Sequence, residues 1–389
     1  MKKITLFVLF LSCNLFSQNF IQSYADVANQ TSQANITAHL TEFENLGVKR
    51  RGTQPLEDTY NWLRNEYISY GYVAGQLQED TYLNAGFTCK NLIVTKVGSV
   101  YPNTYVIICG HYDTIVGTGT NDNGSGTVSI LEVARLLQNI DTEYSIKFIH
   151  FSGEEDGLVG SNHYVNNVVN ATTPKMDIKL VFNLDEVGGI AGITNNTITC
   201  ERDTGSPTSN NAASNTVTNE LITCVGLYSP LNTNLSYAYA SDYMPFEDNN
   251  EVITGFYETN ESSHPHSSTD LLVNMDPVYN YNVAKAAVGA MLHFAIATTS
   301  LSNSSFDNDF NISFFPNPTK DYLSINFGEF TGKKTKVSIY DINGKRVEFK
   351  QYSSPKIIEV LDFCQFEKGI YLVQMESDGK EISRKIVKN

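Results

Sequence analysis

The stretch GHYDTIVGTGTNDNGSG, residues 110–126, follows the apolar run TYVIIC and sets His111, Asp113 and Asp122 among glycines and short polar residues. A short run rich in β-branched residues reads as a buried strand, so these ionisable side chains stand where a strand leaves the core. The arrangement returns twice more. Glu154 and Glu155 follow IKFIHFSG, and Asp185 follows IKLVFNL. NLIVTKV is a further strand-like run, and the helix-like stretches GTVSILEVARLLQN and VGSNHYVNNVV separate three of the strands. Strands alternating with helices predict a largely parallel sheet covered on both faces. The carboxyl ends of such strands form one edge, where ligands bind, and the ionisable residues can converge there.

Upstream, PLEDTYNWLRNEYISYGY predicts an amphipathic helix with Pro55 near its start, Leu56, Tyr60, Leu63 and Tyr67 on one face, and Gly71 as its stop. The first residues carry two lysines, an apolar run at 4–11 and small polar residues near Ser17, the layout of a secretory signal peptide over residues 1–18. That run is too short for the roughly 20 residues of a spanning helix, and no later segment is long and apolar enough to span. With 42 acidic against 27 basic residues the net charge is −15, which argues against binding nucleic acid or an anionic membrane through bulk electrostatics. After Cys13 there remain five cysteines and no C-x-x-C, so neither a disulfide scaffold nor a thiolate zinc site is expected. Cys200 and Cys224 bracket a polar insertion, ERDTGSPTSNNAASNTVTNE, expected to shape the rim of the site; the two are either bridged or free buried thiols.

Carboxylates crowded beside a histidine in one crevice repel one another at neutral pH unless cations lie between them, and imidazole with carboxylate oxygen suits zinc. A second histidine can come from ESSHPHSSTD, which holds His264 and His266.

Taken in order, GHYDT, NDNGSGT, SGEEDGLVGS, NLDEVGG, ASDYMPF and HPHSSTD resemble the co-catalytic zinc aminopeptidases of the bacterial leucyl aminopeptidase type, in a superfamily that includes glutamate carboxypeptidases and glutaminyl cyclases. The resemblance spans roughly residues 25–297 and implies a three-layer α/β/α phosphorylase/hydrolase-like domain. It also implies two zinc ions per chain, one held by His111, Asp122 and Asp185 and the other by Asp122, Glu155 and His266, with Asp122 as the bridge. Glu154 would be the general base, taking a proton from a water activated by the two ions, and Asp113 would orient His111 through its other ring nitrogen. His266 is preferred over His264 because it stands four residues before Asp270. The family often has a tyrosine before this histidine; Pro265 stands there, so stabilising the oxyanion is unfilled or passes to another group such as Tyr243. Asp242 and Glu258 align with acidic positions near the pocket, their roles open between orienting the substrate amine and a structural part.

Near residue 298 the composition changes. TTSLSNSSFDNDFN reads as a linker over 298–311, and residues 312–389 carry short alternating segments joined by Asn-Gly, Lys-Gly and Asp-Gly turns, a small β-sandwich. FFPNPTKDYLSINF, VSIYDINGKRV and the terminal KIVKN resemble the C-terminal sorting domain of type IX secretion cargo. The combined expectation is a zinc exopeptidase, secreted or attached to the cell surface after export through the periplasm, acting on a peptide with a free N-terminus. The alternatives are a one-zinc glutaminyl cyclase and a non-catalytic surface adhesin keeping the fold.

Overall fold

The computed structural model describes residues 18–171, 173–298, 312–342, 344–378 and 380–389. The expected signal peptide and linker lie almost wholly outside these residues. The chain divides near residue 299 into two compact units.

The first unit opens with helices α1 (Gln22–Ala28), α2 (Gln33–Asn45) and α3 (Gln54–Ser69), then strands β1 (Leu77–Asn84), β2 (Phe87–Lys96) and β3 (Tyr101–His111). Helix α4 (Gly124–Leu137), β4 (Tyr144–Phe151), α5 (Val159–Tyr164), β5 (Asp177–Leu184) and β6 (Thr197–Arg202) follow, and α6 (Asn211–Tyr228), β7 (Asn232–Tyr237), α7 (Met244–Asp248), β8 (Ile253–Glu258) and α8 (Pro277–Phe294) complete it. The eight strands form one sheet in the order β1-β2-β4-β3-β5-β8-β6-β7.

Period-two alternation decides the layering. Val106 and Ile108 of β3 join a core with Phe148 of β4 and helices α4, α6 and α8. Their neighbours Ile107 and Cys109 join a second core with Ile149, Phe151, and Tyr164 of α5. Both faces of the central strands are buried, which is why these runs read as continuously apolar. Each fully buried aliphatic side chain contributes about 1.5–3 kcal/mol. Helix α3 buries Leu56, Tyr60, Leu63 and Tyr67, starts with Pro55 in its first turn, and is followed by Gly71 at φ +99°.

The sheet is mixed rather than largely parallel. β4/β3, β3/β5, β5/β8 and β6/β7 are parallel, whereas β1/β2, β2/β4 and β6/β8 are antiparallel. Only residues 97–100 link β2 to β3, too few for a crossover, so β3 runs opposite to β2, with β4 between them. Of the polar stretch 201–220, expected to shape the rim, the part from Asn211 onward is the first half of α6. Two of its buried hydroxyls find carbonyl acceptors. Ser214 Oγ donates to the Ile253 carbonyl, and Thr218 Oγ1 donates to the Ser214 carbonyl at 2.9 Å. Cys200 and Cys224 are free and buried.

The second unit holds a three-stranded sheet, β13 (Ile358–Asp362), β10 (Tyr322–Asn326) and β9 (Ser313–Phe315), and a four-stranded sheet, β12 (Arg346–Tyr352), β11 (Thr335–Asp341), β14 (Gly369–Ser377) and β15 (Lys380–Lys388). All strand pairs in both sheets are antiparallel. Leu323, Ile325, Val337, Ile339, Leu361, Val373 and Met375 share one core, the arrangement of a small β-sandwich.

His150 on β4 is fully buried, its Nε2 2.9 Å from Tyr67 Oη and its Nδ1 without a partner. Burial lowers its pKa to about 3. The unfolded chain therefore binds the extra proton between about pH 3 and the ordinary imidazole value near 6.5, and stability falls as pH drops through that window. Trp62, the lone tryptophan, lies in α3 and reports unfolding of this unit. His150→Gln is expected to flatten the loss of stability between pH 6.5 and 4 in denaturant titrations followed by Trp62 fluorescence; an unchanged pH slope would exclude His150 as its source.

Candidate active site

Three adjacent parallel strands, β4, β3 and β5, end on the same edge, and the ionisable residues follow from there. His111 is the last residue of β3, paired with Phe151 at the end of β4, and is 1% exposed. Asp185 directly follows β5, with its N–H donating to the Phe256 carbonyl at 3.2 Å. Glu154 and Glu155 lie in the turn after β4. Tyr82 Oη donates to the Ser152 carbonyl, and Asp156 takes an ion pair from Arg51 and a hydrogen bond from Asn84 Nδ2, so this turn is held from β1 and from the approach to α3.

Asp122 stands just before α4, whose N-cap Asn123 accepts from the Gly126 N–H at 2.9 Å. The glycines here permit close approach. A Cβ on Gly126 would meet the Leu184 carbonyl oxygen at 2.4 Å, and one on Gly117 would meet the Ser267 carbonyl oxygen at 2.0 Å. The loop of residues 112–121 thus sits directly against the segment that carries His266.

The two imidazoles flank one carboxylate. Asp122 Oδ1 is 3.2 Å from His111 Nε2, and Asp122 Oδ2 is 3.1 Å from His266 Nε2. His111 Nε2 is also 3.4 Å from Asp185 Oδ1 and 4.0 Å from Glu154 Oε2, while His266 Nε2 is 2.9 Å from Glu155 Oε2. His266 adopts φ +57° and is 62% exposed on its side chain. His264 turns elsewhere, with Nδ1 2.7 Å from Thr269 Oγ1.

Electrostatics show what the cluster lacks. Burial pushes Glu154 up to about 10, against the pull of His111 and with a further push from Asp185. Burial likewise takes Glu155 to about 8, aided by Asp122. For Asp122, burial is outweighed by hydrogen bonds from the two histidines, and its carboxyl lies below the ordinary range. His111 is raised despite its burial, chiefly by Asp185 and Glu154, and His266 is raised to about 9, first by its hydrogen bond to Asp122. Asp185 Oδ1 is buried with no hydrogen-bond partner. Carboxylates so placed need positive charge, and only the imidazoles provide it here.

Zinc fits this donor set. A tetrahedral ion with ligands at about 2.0–2.2 Å holds them roughly 3.3–3.6 Å apart, close to the 3.2 and 3.4 Å from His111 Nε2 to Asp122 and to Asp185. The donor atoms of His111, Glu154 and Asp185 all lie within 4.8 Å of one another, as do those of Asp122, Glu155 and His266. A third trio, His39, Glu42 and Glu66, also meets that distance, but there Glu42 accepts from Trp62 Nε1 and His39 pairs with Glu66 across α2 and α3.

Other acidic residues have a different environment. Asp270 accepts the Asn121 and Asp122 N–H groups at 2.8 and 3.1 Å, fixing the backbone that carries Asp122. Glu258 accepts from Asn121 Nδ2, the Gly189 N–H and the Ser262 N–H, and so is a structural tie between three loops. The Asp113 carboxylate accepts the Glu154 N–H at 3.2 Å and lies 3.7 Å from His111 Nδ1. The closer partner of that nitrogen is the Asp113 backbone carbonyl, at 3.1 Å. Tyr243 Oη donates to Glu201 at 2.6 Å and is 1% exposed, which leaves it no open path to a substrate. Asp242 is fully buried, with neither carboxylate oxygen hydrogen-bonded.

Residues 91–291 match the Peptidase family M28 model. The chain belongs to peptidase family M28. Residues 313–389 match the secretion system C-terminal sorting domain. Among curated relatives, the chain is 39% identical over 103 residues to aminopeptidase YwaD of Bacillus subtilis, 26% of this chain and 22% of the relative. It is 37% identical over 123 residues to a probable leucine aminopeptidase 2 of Aspergillus fumigatus, 31% of this chain and 24% of the relative. The matched segments therefore span under a quarter of these relatives' length. The LapA aminopeptidase of Legionella pneumophila shares the fold with TM-score 0.62 at 21% identity, over 77% of this chain and 81% of that one. A glutaminyl cyclase of Fimbriiglobus ruber shares it with TM-score 0.55 at 15% identity, over 67% and 97%.

The M28 motifs carry the residues that converge, but Asp270 entered the sequence reading only as a spacing marker. Asp270→Ala removes the acceptor of two backbone N–H groups behind Asp122 and is expected to weaken zinc binding about 10–100-fold in chelator competition. Asp270→Asn, which keeps one acceptor oxygen, should fall between; wild-type affinity in both would show that the loop holds itself.

Proposed function

We propose that this M28 chain is an exported zinc aminopeptidase that removes the N-terminal residue of peptides. The observation that carries the reading is the Asp122 carboxylate, with one oxygen against His111 and the other against His266. Two donor groups sharing a single carboxylate suit a pair of ions, with His111, Asp122 and Asp185 on one side and Asp122, Glu155 and His266 on the other. Two zinc ions so held supply Lewis acidity towards the scissile carbonyl and lower the pKa of the attacking water.

The protein's own part is positioning and proton transfer. Glu154 reaches the same cleft but stands farther from His111 than Asp122 or Asp185 does, which suits a proton carrier better than a ligand. Its carboxylate would accept the proton of the attacking water and return it to the leaving amine. Asp113 serves through the backbone: its carboxylate receives the Glu154 N–H and its carbonyl faces His111 Nδ1, so it positions both groups. The catalytic domain is proposed to extend over 25–297, and the sorting domain over 312–389 to direct export by the type IX machinery, with the mature protein secreted or held at the cell surface.

Glu154→Gln is expected to keep its zinc and lose kcat by about 10²–10⁴-fold on aminoacyl amides; near-normal kcat would remove Glu154 from this role. Chelation should abolish hydrolysis and zinc restore it, with metal analysis giving two ions per chain. One ion, with cyclisation of N-terminal glutamine and no shortening of a mixed peptide library from its N-termini, would overturn the aminopeptidase reading.

A further inference from the structure

His266 offers its imidazole from a loop and not from a strand end. Its side chain is 62% exposed, so packing around the ring does little to hold it, and its place beside Asp122 depends on where its backbone lies. That backbone rests on the loop of residues 114–121. Gly117 lies against the Ser267 carbonyl, Thr118 Oγ1 donates to the Asp270 carbonyl at 2.9 Å, and the Thr120 N–H donates to the same carbonyl at 3.4 Å.

Both loops are in turn held by residues 43–49, at and just beyond the end of α2. Lys49 is fully buried. Its Nζ donates to the Thr118 carbonyl at 2.9 Å and to the Gly47 carbonyl at 2.7 Å, and lies 3.7 Å from the centre of the Phe43 ring. Burial pushes its pKa down to about 7, yet the grip does not depend on the charge, because a neutral amine still has one N–H for each carbonyl. The Lys49 backbone is paired as well: its N–H donates to Thr114 Oγ1 at 2.8 Å, and its carbonyl accepts the Thr114 N–H at 3.2 Å. Glu44 joins the two loops directly, with Oε2 accepting from Thr120 Oγ1 at 2.9 Å and from the Leu272 N–H. Phe43 meets the start of α4, where a Cβ on Gly124 would come within 2.7 Å of its ring. An amine and a carboxylate taken out of water persist only with such partners. This segment lies outside residues 91–291, the part that matches the M28 model.

We propose that Lys49 and Glu44 are positioning residues for His266: they lock residues 114–121 to residues 266–272 and so hold the imidazole beside Asp122 and Glu155 before any ion binds. The consequence for metal binding rests on the two-ion reading. The ion of His111, Asp122 and Asp185 has two donors at strand ends, whereas the ion of Asp122, Glu155 and His266 takes one from a turn and one from the clamped loop. Loosening the clamp therefore falls on the second ion.

The test uses the full chain with Lys49→Met, which keeps the stem and removes both donors, and with Glu44→Ala. Stepwise zinc titration of the metal-free protein against a competing chelator should show the second ion weakened about 10-fold or more and the first close to wild type, with hydrolysis of an aminoacyl amide restored by excess zinc. Equal weakening of both ions would assign the segment to general stability and overturn the proposal, as would wild-type affinity for both. Hydrogen exchange on the metal-free chain reads the clamp without zinc. The amides of residues 114–122 and 266–272 should exchange about 10-fold faster or more in the variants, while those of β3 and β5 keep their protection; unchanged exchange in the two loops overturns the proposal. Should the wild type bind a single ion, the two-ion reading fails and the exchange measurement decides alone. Should Lys49→Met not fold, as read by Trp62 fluorescence, Glu44→Ala carries both measurements.

Discussion

The contact on which the site depends is the Asp122 carboxylate between two imidazoles, His111 on β3 and His266 on the far loop. His111 is fixed by its place in the ladder beside β4, and Asp122 by the N-terminus of α4, so their meeting is a consequence of the sheet. His266 arrives from the loop after β8 and is brought in by the close approach of residues 117 and 267. Around this contact the chain concentrates buried negative charge, which in a medium of low dielectric persists only with cations close by.

Hydrogen bonding divides the acidic residues into two sets. Asp270 and Glu258 are saturated by N–H donors and hold loops in place, as buried carboxylates ordinarily must. Asp185 leaves one buried oxygen without a partner, and Asp242 leaves both. This difference, invisible in a count of acidic residues, separates carboxylates held by backbone donors from those with a buried oxygen left without a hydrogen bond. The first set also explains how the second is tolerated: the backbone that carries Asp122 is restrained from behind, so repulsion among the carboxylates cannot be relieved by opening the loop.

The central strands were legible because both faces are buried, and their ends located His111, Glu154, Glu155 and Asp185 without knowledge of the topology. The antiparallel half of the sheet was not, since strand direction depends on connection length and on which strand lies between, and β4 inserts between β2 and β3. Helix α6 was hidden by Ser214 and Thr218, polar residues that are buried because carbonyls accept their hydroxyls. The carboxylate of Asp113 illustrates the limit of motif reasoning: the family resemblance implies that it orients His111, whereas in the fold the backbone carbonyl is nearer to the ring and the carboxylate holds the Glu154 N–H. Asp270 was visible as a residue four positions after His266, while its work, capturing two backbone donors from a loop almost 150 positions earlier in the chain, is a tertiary fact.

An aminopeptidase and a glutaminyl cyclase both share this scaffold, so the sheet cannot itself choose the reaction. The choice falls to side chains at the strand ends and on the loops beyond them. Here Asp122 divides its oxygens between two donor groups, and Pro265 and the buried Tyr243 leave the oxyanion without a tyrosine from either position. Stabilising that oxyanion would then fall to whatever metal the donor set around Asp122 holds.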